Sequence, residues 1–310
     1  MDKATLRMGV DLGGTKIEGV VLDADGQTRC RERVATPQGD YNATLEVLVE
    51  LVVRLEADAG QACSVGIGMP GSISRATRLV KNSNSVCLNG QPLHRDLEAR
   101  LQRPLRFAND ADCFALSEAL DGAGKDAAVV FGVIVGTGTG GGIVVNRQLL
   151  NGPNGISGEW GHNPLPWPGA DELPGPACYC GRSGCIETWL SGPGLASDHE
   201  QLNGIRRDAR SIIQSAELGD TRAGATLQRY ANRMARALAS VINVLDPDVI
   251  VLGGGLSNCK RLYKAVTSQW DEYVFSDRVD TRLLCAQHGD ASGVRGAAWL
   301  WSSDQADQDC

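Results

Sequence analysis

The sequence predicts an α/β fold of two similar domains, and three observations support this prediction. Segments typical of strands alternate with segments whose apolar residues recur at three- and four-residue steps, as they do in helices. A unit of strand, glycine-rich bend and strand occurs at residues 6–23 and again at residues 127–145, which indicates an internal repeat. The chain has 310 residues, 42% of them hydrophobic, which suffices for two buried cores.

The first half of the chain predicts strands and helices in alternation. A strand–bend–strand hairpin is followed by a third strand at 28–36 and by a helix that we expect to start at Thr44 and stop at Gly60. A buried strand then runs into a long polar loop rich in Asn and Ser. After a short helix at 93–101, a strand to Ala108 precedes a turn at Asn109 and Asp110 and a helix that ends at Gly122. We place the first domain at residues 1–121.

The second half repeats this pattern. Apolar residues at helical spacing predict a long helix that stops before Asp246, followed by a buried strand into three glycines. A helix is expected over 261–275, a last strand over 281–287 and a closing helix near the C-terminus. The second domain is expected at 122–292, with the closing helix, at about 293–303, completing the first domain.

Charge and hydropathy exclude several classes of protein. The net charge of −7 disfavours binding to nucleic acid or to a membrane surface, both of which need clustered Lys and Arg. No run of eighteen apolar residues occurs, so no membrane span is expected. The N-terminus MDKATLRMGVDLGG has no secretory apolar core, which predicts a cytoplasmic protein.

A Cys–His cluster is predicted in the loop-rich stretch 158–187. Cys178, Cys180 and Cys185 follow the spacing C-x-C-x4-C, and His162 lies upstream across a proline-rich loop. Three thiolates and one imidazole suit tetrahedral zinc, and four protein ligands leave no open position, so the ion would be structural. Gly181 and Gly184 would let the backbone turn round the ion. The alternatives are a disulfide, which a reducing compartment disfavours, and chance clustering.

Two glycine-rich bends are candidates for phosphate binding. The first, DLGGTK at residues 11–16, is called here the glycine hairpin. Its backbone N–H groups could meet a phosphate, and Asp11 could hold a Mg²⁺-bound water. An ordinary tight hairpin is the alternative. The second, GTGTGGG at residues 136–142, is called here the glycine bend. It formally contains G-x-G-x-x-G, but a strand pattern follows it, which argues against a dinucleotide-binding unit. No P-loop motif occurs, and Gly253–Gly255 would suit a flat adenine or simply start a helix. The candidate nucleotide-binding residues are Asp11, Gly13, Gly14, Thr15 and Lys16 of the hairpin, Gly136, Thr137, Gly138, Thr139 and Gly140 of the bend, and Gly253, Gly254 and Gly255.

Three carboxylates are candidates for substrate chemistry. Asp110 follows a strand end and could accept a proton from a hydroxyl group; a helix N-cap is its alternative role, although Asn109 or Asp112 could do the capping. Glu159 and Glu187 flank the Cys–His cluster and could accept hydrogen bonds from sugar hydroxyls, the alternative being exposed loop residues. With one ring nitrogen on zinc, His162 would keep the other for substrate.

The chain resembles the ROK family of repressors, open reading frames and sugar kinases over essentially its whole length. The resemblance rests on DLGGTK, on E-x-G-H at Glu159–His162 and on CYCGRSGCIE at 178–187. Within the family, GEWGHNPLPW, KNSNSVCLNGQP and SGVRGAAWLW look most like the bacterial fructokinases, also called manno(fructo)kinases. The resemblance implies an actin-like, ribonuclease H-like ATPase fold with a cleft between two domains, ATP with Mg²⁺, structural zinc, and phosphorylation of a hexose at its 6-hydroxyl. It also implies that Asp110 is the base and that Asn109, Glu159, His162 and Glu187 bind sugar, with Gly71 and Asn84 aligned less securely.

The resemblance makes an ATP-dependent fructokinase, active also on mannose, the leading hypothesis. A glucokinase or N-acetylhexosamine kinase of the same family is the alternative, because all hexoses offer hydroxyls that the same carboxylates can bind. A sugar-sensing regulator without turnover and an ATPase that needs no sugar are the remaining alternatives. The expected partner is a small sugar, and a homodimer is left open.

Overall fold

The computed structural model describes residues 6–302 and divides into two compact units. Unit 1 comprises the described parts of Met1–Lys125, Gly142–Ser157 and Asp290–Cys310, and unit 2 comprises Asp126–Gly141 and Gly158–Gly289. The last residue expected in the closing helix, residue 303, lies outside the described residues. The strands are β1 Arg7–Leu12, β2 Lys16–Leu22, β3 Thr28–Ala35, β4 Ser64–Met69, β5 Ser72–Ile73, β6 Val80–Lys81, β7 Arg106–Asn109, β8 Val129–Val135, β9 Thr139–Val145, β10 Gln148–Leu149, β11 Val249–Gly253 and β12 Arg282–Cys285.

Helices alternate with these strands, as an α/β fold requires. They are α1 Tyr41–Ala59, α2 Leu93–Leu101, α3 Asp110–Leu120, α4 Ile186–Leu190, α5 Gly192–Asn203, α6 Ala209–Glu217, α7 Thr221–Leu245, α8 Lys260–Thr267 and α9 Ser292–Trp299. A membrane-spanning segment requires a long apolar helix, and residues 6–302 contain none of that kind.

Unit 1 is built on a five-stranded sheet with the order β3-β2-β1-β4-β7. The first three strands are antiparallel neighbours, and β4 and β7 continue the sheet in parallel. Helices cover both faces at β1 and β2: Gly19 lies against Leu51 and Leu55 of α1, and Gly9 lies against α9. Helices on both faces explain why β1 and β2 are buried at most positions and do not alternate between buried and exposed residues.

The second sheet has the order β10-β9-β8-β11-β12, with β11 parallel to both β8 and β12. Residues 142–157, which the sequence places in the second domain, group with unit 1. The reason is close packing on α3, since a Cβ added to Gly142 would lie 2.7 Å from the carbonyl oxygen of Ala111. The glycine at the middle of β9 therefore allows a strand to lie directly against a helix.

Several helix boundaries differ from the sequence prediction. Helix α1 starts at Tyr41, not Thr44, because Asp40 caps it through a hydrogen bond from the Ala43 N–H of 3.0 Å. Its predicted end is confirmed, with Gly60 in the left-handed conformation at φ 72°. The helix expected over 261–275 ends at Thr267, because a 3-10 turn at 270–272 follows and buries Trp270.

Candidate active site

In unit 1, the glycine hairpin is a tight connection between β1 and β2. The Gly13 N–H donates to the carbonyl oxygen of Lys16 at 3.0 Å, and Thr36 Oγ1 donates to the Gly13 carbonyl oxygen at 2.7 Å. A Cβ on Gly13 would lie 2.8 Å from the Lys16 oxygen, so a side chain there is not tolerated without a shift. Gly14 and Thr15 are exposed at the tip of the hairpin, where their carbonyl oxygens accept from Gln38 Nε2 at 3.4 Å and from the Thr36 N–H at 3.1 Å.

Asp11 is the penultimate residue of β1 and lies in an environment that disfavours its negative charge. Its strand neighbours in register are Glu18 and Gly68. Burial, followed by the negative charges of Asp110 and Glu18, raises the pKa of Asp11 to about 6, against smaller opposing effects of Lys16 and Arg33. A cation bound next to Asp11 would offset this penalty. A carboxylate with a strongly raised pKa is typical of a functional site.

Asn109 and Asp110 lie where β7 passes into α3. Asn109 is the N-cap, since its Oδ1 accepts from the Ala111 N–H at 2.9 Å, and its Nδ2 donates to the Gly71 carbonyl oxygen at 3.0 Å. Asp110 is the first residue of α3 and is exposed, and its Oδ1 accepts from the same Ala111 N–H at 2.8 Å. The cap is therefore supplied by Asn109, which leaves the Asp110 carboxylate oriented by the helix terminus and open to solvent.

Gly71 and Asn84 lie in different surroundings. Gly71 has a φ of 75° and contacts Asn109 through its carbonyl oxygen; a Cβ there would lie 2.3 Å from the Lys81 oxygen. Asn84 instead lines a cavity of about 430 Å³ beside Gly14 and Thr15. The structure thus groups Gly71 with Asn109, and it groups Asn84 with the tip of the glycine hairpin.

In unit 2, Glu187 is joined to the glycine bend between β8 and β9. One carboxylate oxygen, Oε2, accepts from the Thr139 N–H at 2.9 Å, and a Cβ on Gly138 would lie 2.6 Å from that same oxygen. The bend is closed by the Gly136 N–H donating to the Gly138 oxygen at 2.9 Å. A strand, β9, follows these glycines, as the sequence predicts.

The four residues of the Cys–His cluster are brought together as the spacing predicts. Their ligand atoms all lie within 4.8 Å of one another, with His162 Nδ1 3.6 Å from Cys178 Sγ and Cys180 Sγ 3.6 Å from Cys185 Sγ. Gly181 and Gly184 have φ angles of 86° and 71°, so the expectation that glycines turn this loop is confirmed.

The second ring nitrogen of His162 differs from the expectation. His162 Nε2 lies 2.9 Å from the hydroxyl oxygen of Tyr179, which belongs to the same 158–187 loop. The ring nitrogen that was expected to contact substrate is therefore paired with Tyr179. Glu159 precedes the 3-10 turn that carries His162 and is exposed.

The thiols of the Cys–His cluster differ in acidity. Burial raises the pKa of Cys185 to about 12, whereas the Arg182 backbone N–H lowers the pKa of Cys180.

A cavity of about 850 Å³ in unit 2, called here the unit 2 cavity, brings together two of the glycine-rich segments. Gly136 and Thr137 of the bend line one side, and Gly255 lines another. Next to them, a Cβ on Gly254, whose φ is 80°, would lie 2.5 Å from the Val135 oxygen. The rest of the lining comes from α5, α6 and the 3-10 turn after β11, and includes Gly192, Pro193, Ala196, Ala209, Ile213, Glu217 and Leu256.

The contribution of α5 and α6 to this cavity was not predicted from the sequence. A signal was present at Ser191-Gly192-Pro193, because Ser and Pro are favoured at the cap and the first turn of a helix. In the structure Ser191 caps α5, and the Gly192 N–H donates to the Gly136 oxygen at 2.7 Å. Recognition of that signal would have predicted a helix start at Gly192, and the structure places this start beside the glycine bend.

Comparison with known proteins identifies the family of this chain. A model of the ROK family matches residues 7–304. The chain is 40% identical over 300 residues to an N-acetyl-D-glucosamine kinase of Pectobacterium atrosepticum, which covers 96% of this chain and 99% of the relative.

Two solved structures extend the comparison to the fold. The ROK hexokinase from Thermus thermophilus has a TM-score of 0.84 at 32% identity and covers 95% of this chain and 97% of that chain. A ROK family glucokinase from Streptomyces griseus, in complex with glucose and AMPPNP, has a TM-score of 0.75 at 27% identity and covers 95% of this chain and 98% of that chain. The fold is the two-domain, actin-like α/β ATPase fold. The chain therefore belongs to the ROK family.

Proposed function

We propose that this ROK family sugar kinase transfers the γ-phosphate of ATP to the 6-hydroxyl of N-acetyl-D-glucosamine. The observation that carries the proposal is the 40% identity, over nearly the whole chain, to an N-acetyl-D-glucosamine kinase. Fructose, which the resemblance to bacterial fructokinases favours, becomes the second candidate substrate, and glucose is a third because a structural neighbour of this family is a glucokinase.

Asp110 is the proposed general base. Its carboxylate is exposed, and its orientation is fixed by the Ala111 N–H at 2.8 Å. In the reaction the sugar hydroxyl gives its proton to Asp110 while the hydroxyl oxygen bonds to the γ-phosphorus. The bond from that phosphorus to the bridging oxygen breaks, and ADP leaves. Asn109, fixed by its cap bond and by Gly71, would orient the same sugar.

Glu159, His162 and Glu187 are proposed as further sugar ligands. Glu187 Oε2 is engaged by the Thr139 N–H, so its Oε1 is the atom that would accept from a sugar hydroxyl. For His162, the pairing of Nε2 with Tyr179 means that a sugar would have to displace or share that hydroxyl. Gly71 and Asn84 are retained as minor candidates, with Gly71 supported by its contact with Asn109.

The nucleotide is proposed to use both glycine-rich segments. The unit 2 cavity, lined by Gly136, Thr137 and Gly255, is large enough for adenosine, since ligand pockets typically have about 300–1,000 Å³. The hairpin residues Gly13, Gly14, Thr15 and Lys16 would meet the terminal phosphates, and the Asp11 carboxylate is the oxygen donor type that Mg²⁺ prefers. Mg²⁺ would supply positive charge against the phosphate oxygens.

The Cys–His cluster fits zinc. Bonds of about 2.3 Å at tetrahedral angles separate two sulfur ligands by about 3.8 Å, close to the 3.6 Å between Cys180 and Cys185. The donor set of three sulfurs and one imidazole nitrogen is typical of a structural site. The ion would hold the 158–187 loop, and thereby Glu159 and Glu187, and it would take no part in the transfer itself.

A coupled assay of ADP release with a panel of sugars tests the substrate proposal. We expect the highest kcat/KM with N-acetyl-D-glucosamine and lower values with glucose, mannose and fructose. A preference for fructose would support the fructokinase hypothesis that the family resemblance suggested. Sugar binding by calorimetry without turnover of any sugar would identify a regulator, and ADP release independent of sugar would identify a simple ATPase.

A further inference from the structure

An Arg–carboxylate cluster lies buried in unit 2 and has no part in the proposed transfer. It consists of Glu172 and Asp198 with Arg229, Arg233 and Arg236. Arg233 Nε donates to Glu172 Oε1 at 2.7 Å, and Arg236 Nη2 donates to the two Glu172 oxygens at 2.8 and 2.9 Å. The side chains of Glu172, Arg233 and Arg236 are 8%, 6% and 5% exposed, so these charges are well removed from water.

Arg233 makes two further contacts. Its Nη1 donates to Asp198 Oδ1 at 2.8 Å, and its guanidinium carbon lies 4.3 Å from the centre of the Trp189 ring, a cation–π geometry. Arg236 also donates to the carbonyl oxygens of Pro166 and Trp167, at 3.1 and 2.6 Å. A single helix, α7, therefore contacts the backbone before Glu172, the Glu172 side chain and the ring of Trp189.

The positions of Glu172 and Trp189 in the chain link these contacts to the candidate site. Glu172 lies on the segment between His162 and Cys178, which is the longest gap between consecutive residues of the Cys–His cluster. Trp189 belongs to α4, which starts directly after Cys185 and carries Glu187 one residue into the helix. Arg233 thus bridges the segment that spans the Cys–His cluster and the short helix that presents Glu187.

We propose that Arg233, supported by Glu172, is a positioning residue for Glu187, and this inference rests on the proposed sugar-kinase function. Buried ion pairs add little net stability relative to apolar packing, so the four buried groups of this cluster, Glu172, Asp198, Arg233 and Arg236, are better explained by conformational specificity. Helix α4 has only five residues, too short to hold its orientation alone. Stacking of Trp189 on Arg233 fixes the rotation of α4, and with it the direction of the Glu187 carboxylate.

The test compares Arg233→Gln with Arg229→Gln in the full-length enzyme. Arg229 is on the same helix and pairs with the same Asp198, at 2.8 Å, but it contacts neither Glu172 nor Trp189. In Arg233→Gln each carboxylate keeps one arginine, Glu172 with Arg236 and Asp198 with Arg229, so the fold is expected to survive. A thermal melt of each variant checks this, and Glu172→Gln, which keeps the shape of the side chain, provides a second route.

We expect Arg233→Gln to raise the KM for the preferred sugar by about tenfold or more while the KM for ATP changes by less than about twofold. Amide hydrogen exchange over residues 185–190 should be faster than in the wild type, and Arg229→Gln should match the wild type in both measurements. A merely stabilising role would lower the melting temperature without separating the two KM values.

Equal sugar KM values in folded Arg233→Gln, Glu172→Gln and the wild type would overturn the inference. If the wild type phosphorylated no sugar, the proposed function would fail by itself, and hydrogen exchange would then decide the positioning role alone. Unchanged exchange over 185–190 in Arg233→Gln would refute that role.

Discussion

Replacement of Asp11 by Asn should stabilise the protein at neutral pH. In the folded chain, burial and the charges of Asp110 and Glu18 raise the Asp11 pKa from 3.8 to about 6. A shift of about two units corresponds to up to about 3 kcal/mol, since each unit is worth about 1.4 kcal/mol. This penalty applies to the ionised carboxylate, and the amide of Asn does not carry it.

The pH dependence has a definite sign. Between pH 3.8 and about 6 the folded protein binds a proton at Asp11 that the unfolded chain has already lost. The free energy of unfolding therefore falls as the pH rises through this window, and the full penalty is present above it. The stability difference between Asp11→Asn and the wild type should be close to zero near pH 4, grow towards pH 6 and remain constant above pH 7.

Urea denaturation measures this difference directly. Both proteins are unfolded at several pH values without nucleotide or Mg²⁺, and the free energies of unfolding are compared. Asp25→Asn is a control for the substitution itself, because Asp25 is an exposed carboxylate in the turn between β2 and β3. We expect no comparable pH-dependent gain in that variant. An Asp11→Asn protein that was equal to the wild type at pH 8, or less stable, would refute the argument that this site carries an electrostatic penalty.

Three further predictions address catalysis, the Cys–His cluster and the core. Asp110→Asn should keep the fold and sugar binding but lower kcat by about 10²–10⁴, and near wild-type turnover would exclude Asp110 as the base. Cys180→Ser should lower the zinc content measured by metal analysis and raise the KM for sugar more than that for ATP; zinc-free wild-type protein would contradict the structural role. Gly66→Ala should lower the free energy of unfolding by about 1–3 kcal/mol or more, because a Cβ there would lie 1.9 Å from the Ala297 carbonyl oxygen; an unchanged urea midpoint would show that α9 can move.

The parts of the site that follow from local sequence could be predicted well. Cys178, Cys180 and Cys185 lie within one short loop, so their spacing nearly determines that their sulfurs meet, and the glycines confirm where the backbone turns. The two glycine-rich turns between strands were likewise predictable, because a bend between two apolar strands has few conformations. In both cases the interaction is short in sequence, and little tertiary information is needed.

Features that depend on tertiary contacts could not be predicted in the same way. Thr44 and Asp40 are both good helix caps, and only the structure shows Asp40 bonding to the Ala43 N–H while the Thr44 hydroxyl donates back to the Asp40 carbonyl oxygen. The pairing of His162 with Tyr179 depends on how the 158–187 loop folds around the Cys–His cluster. The substrate depends on which hydroxyl or amide a few side chains face, which residue types alone do not specify.

Glu187 links the glycine bend to the Cys–His cluster in unit 2. Its Oε2 closes on the Thr139 N–H, and the absence of a side chain at Gly138 is what allows that approach. The same residue follows Cys185 by two positions and precedes Trp189 by two, so the Cys–His cluster holds one end of α4 and Arg233 holds the other. A change at either end of α4 is therefore expected to disturb a carboxylate that also bonds to the glycine bend. Because Glu187 is proposed to contact the sugar directly and the nucleotide only through the bend, loss of Arg233 or of the proposed zinc ion is expected to raise the KM for sugar more than that for ATP.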